Sequence, residues 1–150
     1  MISPSAIIEI SKTRLEESKI LFANGYYEGS FYLAGYSVEL ALKAKVCRVL
    51  DIPNLYDETF LRQDSNKDLL RSHLTHKLNS LILLSGLRTK FDLAKSNNER
   101  LLSNWSFLAE YWSEKCRYNC CGTVTKENCE RLITSIEDTQ NGILTWILVN

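Results

Sequence analysis

Arg71 and His76 lie five places apart in RSHLTHKL, residues 71–78. A guanidinium can hold a phosphate, and an imidazole that titrates near neutrality can take the proton of an RNA 2′-hydroxyl. The crowded phosphorane that follows needs only a cation for stabilisation, so the pair could cut RNA without metal. The same letters also read plainly as a helix start, with Thr75 as cap and His76 packing on the preceding connector. Spacing alone does not choose between the two readings.

Other residues carry comparable chemistry. At 100° per residue, Tyr32, Tyr36, Glu39 and Lys43 fall on one narrow line of a helix. Glu39 and Lys43 form an i,i+4 pair in the favourable order, which braces a helix by about 0.3–0.5 kcal/mol when exposed. Flanked by apolar faces, such a pair is partly desolvated and also offers Lys43 to a phosphate. Arg117 lies where a basic side chain favours a helix C-terminus, yet with Tyr118 beside it could clamp a phosphate and stack a base. Cys116 and Cys120 are one turn apart, and His73 with His76 would complete four donors for zinc. Cys121 and Cys129 lie near, but the paired C-x2-C spacing of zinc sites is missing, and small buried or idle thiols are the plainer reading.

The elements that must position these groups are helical. A first helix is expected over Pro4–Ala23, with Ser3 as N-cap, proline at the first position and Asn24-Gly25 as the stop. Its apolar stripe is Ile8, Leu15 and Phe22, supported by Ile7 and Leu21. The second, Tyr27–Leu50, is apolar on two opposed faces: Phe31, Val38, Leu42, Val46 and Val49 on one, Leu33, Leu40, Ala44 and Cys47 on the other. A helix apolar on two sides is central, packed between neighbours or against a partner subunit. Residues 51–70 form a connector with one short helical turn. Further helices are expected over His76–Ser85, over Asn98–Tyr118 with Leu101, Leu102, Trp105, Leu108 and Trp112 on one face, and from Thr125 to the end. No segment alternates with period two for long enough to be a strand. The fold class is all-α, an antiparallel bundle of about five helices in a single domain over residues 1–150.

Composition bounds the partners. The 150 residues carry 18 basic and 18 acidic side chains, so no whole-molecule field attracts nucleic acid or an anionic membrane, and any phosphate contact is local. No DNA is expected as a ligand, and no cofactor. No stretch approaches the ~20 apolar residues of a membrane helix, and MISPSAIIEISK lacks the pattern of a secretory leader. Five cysteines, an odd number with four crowded between Cys116 and Cys129, do not form a secreted disulfide framework. These features point to the cytoplasm.

The second helix also carries a resemblance. YYEGSFYLAGYSVELALKAKVCR is similar to the signature helix of HEPN domains, approximately G-Y-x-x-E-L-x-L-K-A, here Gly35, Tyr36, Glu39, Leu40, Leu42, Lys43 and Ala44. THKLNSLILLSGL resembles the family's T-H-x-L helix start, and WSEKCRY its W-x-x-E-x-R-Y block. The resemblance implies a helical bundle, commonly a two-fold dimer. It implies RNA cleavage, nucleotide binding or partnership with a nucleotidyltransferase in toxin–antitoxin and phage-defence modules. In its catalytic branches an arginine opens a late R-x4-6-H motif, and Arg117 matches that arginine by order along the chain. Tyr118, Asn119, Cys120, Cys121, Gly122 and Thr123 follow it, with no histidine in range, so the late motif is broken.

Three functions follow as expectations. The first is a domain that binds RNA, a nucleotide or a partner protein through Tyr36, Glu39, Lys43, Arg117 and Tyr118. The second is a metal-independent endoribonuclease using His76 with Arg71 or Arg117. The third is a pure assembly module.

Overall fold

The computed structural model describes residues 3–62 and 73–150. Arg71 lies outside the described residues, as does most of the second half of the expected connector. Among the described residues the architecture is all-helical, with no strand. Helix α1 spans Pro4–Ala23; the Ser3 side chain accepts from the Ala6 N–H, proline opens the first turn, and Gly25 at φ +81° terminates it. Helix α2 follows over Tyr27–Val49.

The two helices are joined by serines. The Ser11 hydroxyl donates to the Ser37 carbonyl at 2.7 Å, while Ser18 and Ser30 each donate to the other's carbonyl at 2.8 Å. The buried stripe of α1 is therefore Ile7, Ser11, Leu15 and Ser18, and the expected Ile8 and Phe22 are only half-buried. Where two backbones run this close a small side chain fits, and its hydroxyl is satisfied on a main-chain carbonyl.

Helix α2 is the central element. Phe31, Ala34, Val38, Ala41, Leu42, Ala44, Val46 and Cys47 are all buried on it. Val49, expected on one of its apolar faces, is exposed in the last turn. A single turn, α3 (Glu58–Leu61), lies in the connector. Helix α4 covers Leu78–Leu84, starting two residues later than expected. Lys77 is its cap residue, and the Thr75 hydroxyl accepts from the Lys77 N–H instead of capping the helix. His76 thus sits on the extended approach.

Helix α5 (Arg88–Ser96) was not expected, because RTKFDLAKS buries only Phe91 and shows no apolar stripe. It is held by that one ring, which meets Trp105 edge-on at 4.8 Å between centroids, with the Lys95 ammonium 4.8 Å above Phe91. Helix α6 runs over Glu99–Tyr111, where a single helix to Tyr118 was expected. Trp112 is extended, Ser113 accepts from the Lys115 N–H, and a 3₁₀ turn over Glu114–Tyr118 follows. Leu102, placed by periodicity on the buried face, is exposed.

The expected last helix is also two: α7 (Lys126–Glu137), capped by Thr125, and α8 (Ile143–Val149). The Asp138 carboxylate causes the break by accepting from the Gln140 and Asn141 N–H groups. Helices α1, α4, α7, α8 and the 3₁₀ turn all pack on α2.

Glu28, in the first turn of α2, holds the 119–124 loop by accepting from Gly122 at 2.6 Å and from Val124 at 3.3 Å. Its own backbone N–H, then those of Val124 and Gly122, keep its carboxyl below the usual carboxylate value. A depressed folded value contributes stability that is full above the ordinary range and is lost as pH falls through the folded value. Stability read by urea unfolding under circular dichroism should therefore show an acid limb that declines as pH falls from the ordinary carboxylate range toward the lowered Glu28 value. Glu28→Gln should flatten that acid limb; an unchanged limb would remove Glu28 from it.

Candidate functional site

The line Tyr32, Tyr36, Glu39, Lys43 runs along α2 and collects its partners from remote segments. Tyr32 stacks on Tyr36 with centroids 5.7 Å apart and on Trp112 at 6.4 Å. The Trp112 Nε1–H donates to the Tyr32 carbonyl at 3.0 Å. Gly35 makes this possible, since a Cβ there would stand 2.4 Å from the indole. The extended backbone at Trp112 and the bare backbone at Gly35 are two halves of one fit.

Glu39 is the centre. It has no exposed surface, yet it carries a carboxylate. Its Oε1 accepts from Lys43 Nζ at 2.6 Å and faces His76 Nδ1 at 2.8 Å. A carboxylate only accepts, so Nδ1 carries the hydrogen, and Nε2 makes no hydrogen bond among the described residues. Oε2 is buried without a hydrogen-bond partner among the described residues. Leaving a buried acceptor unpaired costs about 1–3 kcal/mol.

The side chains of Lys43 and His76 are 12% and 42% exposed, so the two partners of Glu39 reach solvent to different extents. The Lys43 ammonium lies 5.2 Å from the centre of the Tyr56 ring, and the Tyr56 hydroxyl donates to the His73 carbonyl, which steadies the approach bearing His76. Burial pushes both phenols up: that of Tyr36 with help from the Glu39 charge, that of Tyr56 with help from Cys47 and then Glu39. Both are protonated donors at neutral pH.

His76 opens into a cleft of about 260 Å³ walled by Leu78, Ser80, Trp112, Ser113 and Glu114. The structure thus brings Tyr36, Glu39, Lys43 and His76 together. It does not join Arg117 and Tyr118 to them by contact. Both are exposed on the 3₁₀ turn, the guanidinium lies 4.9 Å from the Tyr118 ring centre, and Arg117 makes no hydrogen bond or ion pair among the described residues. Its charge still reaches the Tyr36 phenol, lowering the pull of burial there. The missed connection is Glu39 to His76, for which helix periodicity holds no signal.

The cysteines do not converge. Cys116 is buried with Sγ toward the Tyr111 carbonyl, Cys129 donates to the Ser30 hydroxyl, and Cys120 and Cys121 are exposed. No group of three or more potential metal ligands occurs among the described residues. Nor is any helix there long and apolar enough to cross a membrane.

Comparison with known families bears on the two helices that carry most of this geometry. Residues 5–53 match the HEPN domain. The matched segment is α1 and α2, including Gly35, Tyr36, Glu39 and Lys43. The HEPN match stops before the T-H-x-L and W-x-x-E-x-R-Y blocks, which supply His76 and Trp112. No curated protein and no solved structure matches the chain.

Two tests address this geometry. Gly35→Ala should destabilise the chain by about 1–3 kcal/mol, because the indole or α2 must shift; urea unfolding with unchanged stability would show that Trp112 does not depend on a bare backbone. Lys43→Met should cost about 3 kcal/mol by stranding a buried carboxylate, and Glu39→Leu in the same chain should recover most of it. Additive losses in the double-mutant cycle would mean that the pair is not coupled.

Proposed function

We propose that this chain is an HEPN-type accessory module that binds the phosphate groups of RNA or of a nucleotide at the Lys43–Glu39–His76 cluster. The two-fold dimer and the nucleotidyltransferase partner of toxin–antitoxin and phage-defence modules belong to the same reading. The observation that carries it is one fully buried carboxylate oxygen holding two basic side chains from separate elements. Lys77, next to His76 in the chain, is exposed, as is Arg117, whose charge reaches the Tyr36 phenol without contact. With zero formal net charge, attraction for phosphate has to come from such a local group.

RNA binding would be read by fluorescence anisotropy of a labelled single strand at several salt concentrations. Arg117→Ala should weaken binding and lower the slope of log K against log salt by about 1. His76→Gln and the uncharged pair Glu39→Gln, Lys43→Gln should weaken it further. If all three variants bind RNA and nucleotides as wild type does, the site is elsewhere.

The Glu39–His76 contact favours a second reading, a metal-independent endoribonuclease. A carboxylate on Nδ1 orients the ring and strengthens Nε2 as a base, although the broken motif after Arg117 speaks against the family's usual catalytic arrangement. Cleavage of RNA in EDTA that disappears in His76→Ala would support this reading, and equal cleavage by that variant would remove it.

A further inference from the structure

Lys43 of the cluster also lines a second cavity, of about 320 Å³. Ile7 and Ile10 of α1, Leu40 of α2 and Leu74 form its apolar walls, the Tyr36 and Tyr56 rings border it, and Lys43 is the one charged side chain in its lining among the described residues. Ile10 and Leu74 are exposed at its rim, which leaves an entrance.

Lys43 is under-used. Its ammonium has three N–H groups, and among the described residues it makes a single hydrogen bond, to Glu39. The Tyr36 hydroxyl makes none among the described residues, and burial keeps it protonated. Among the described residues the lining therefore offers unspent donors and contains no carboxylate. A cation entering it would meet an ammonium with no acceptor, and a neutral apolar molecule would leave the donors unused. An anion satisfies them, while its body replaces water on the four aliphatic side chains. At roughly 30 Å³ for each water-sized group, the volume admits about ten non-hydrogen atoms.

We propose that this cavity binds a small amphipathic oxyanion, its head on Lys43 Nζ and the Tyr36 hydroxyl and its aliphatic or aromatic body against Ile7, Ile10, Leu40 and Leu74. Such a ligand competes with Glu39 for the Lys43 ammonium. Glu39 then leans more on His76, so an occupant of this cavity alters the cluster that faces the other cleft. The inference rests on the cluster geometry behind the proposed function and does not require that RNA bind there.

The probes are octanoate and octyl phosphate, with 1-octanol and octylamine as neutral and cationic counterparts, titrated below micellar concentration into the full chain under methyl-detected NMR. At least one anion should shift the methyl resonances of Ile7, Ile10, Leu40 and Leu74 saturably, and bind at least tenfold more tightly than octanol or octylamine. The tighter of the two anions identifies the head group. The His76 ring resonances should move in the same titration. Leu74→Trp, at the exposed rim, should abolish binding in a folded chain, and the double variant Glu39→Gln, Lys43→Gln should reduce anion affinity to that of octanol. The proposal is overturned by the absence of saturable shifts, by octanol or octylamine binding as tightly as the anions, or by Leu74→Trp binding as wild type. RNA binding on the same samples separates the two ideas: its absence with intact octanoate binding overturns the proposed function alone, and the reverse pattern overturns only the cavity.

Discussion

A carboxylate without exposed surface on the central helix is the constraint around which this structure is arranged. Transfer of an unpaired charge to such a place costs several kcal/mol, so Glu39 tolerates burial only with hydrogen-bond donors at contact distance. One comes cheaply from the same helix, Lys43 a turn later. The other, His76, comes from 37 residues further along the chain, and its arrival dictates much else. The stretch before α4 has to stay extended to deliver the ring, the helix cannot begin until after Lys77, and the Tyr56 hydroxyl has to reach back to the His73 carbonyl.

The arrangement also divides space. Glu39 lines neither opening, yet its two partners do: His76 borders a cleft edged by Ser113 and Glu114, and Lys43 borders an apolar cavity edged by α1. Both partners lean on the same oxygen, while the other oxygen has no partner among the described residues. The two openings therefore share one atom behind their linings. The stack of Tyr32, Tyr36 and Trp112 stiffens the wall between Glu39 and the 3₁₀ turn, which keeps that atom in place.

How much of this was legible depended on whether the deciding physics was local. The bounds of α1 and α2 were readable because Ser3, Pro4, Asn24 and Gly25 act within a turn of themselves, and this is also the stretch covered by the HEPN match. The breaks at Trp112 and Asp138 were not, because apolar periodicity continues through both while side-chain caps from Ser113 and Asp138 reset the backbone. Helix α5 escaped because one ring, not a stripe, holds it. In the site, the line on α2 followed from the helical repeat alone. The recruitment of His76, and the detachment of Arg117 and Tyr118 from that line, are decided by how distant segments meet.

The way α2 is enclosed has a consequence for how the protein is made. Its buried faces are covered in part by α7 and α8, which are translated long after it. At roughly 5–20 residues per second, a nascent chain spends several seconds with α1 and α2 outside the ribosome and their later cover not yet synthesised. The serine seam gives these two helices polar, directional contacts that can form early, so the pair can associate as a hairpin before the rest arrives. During the first part of that interval Glu39 has Lys43 but not His76, which lies 37 residues further along the chain. The central helix is thus first a half-wrapped, self-neutralised element, and a sequence that replaced its charged pair with hydrophobes would emerge considerably stickier.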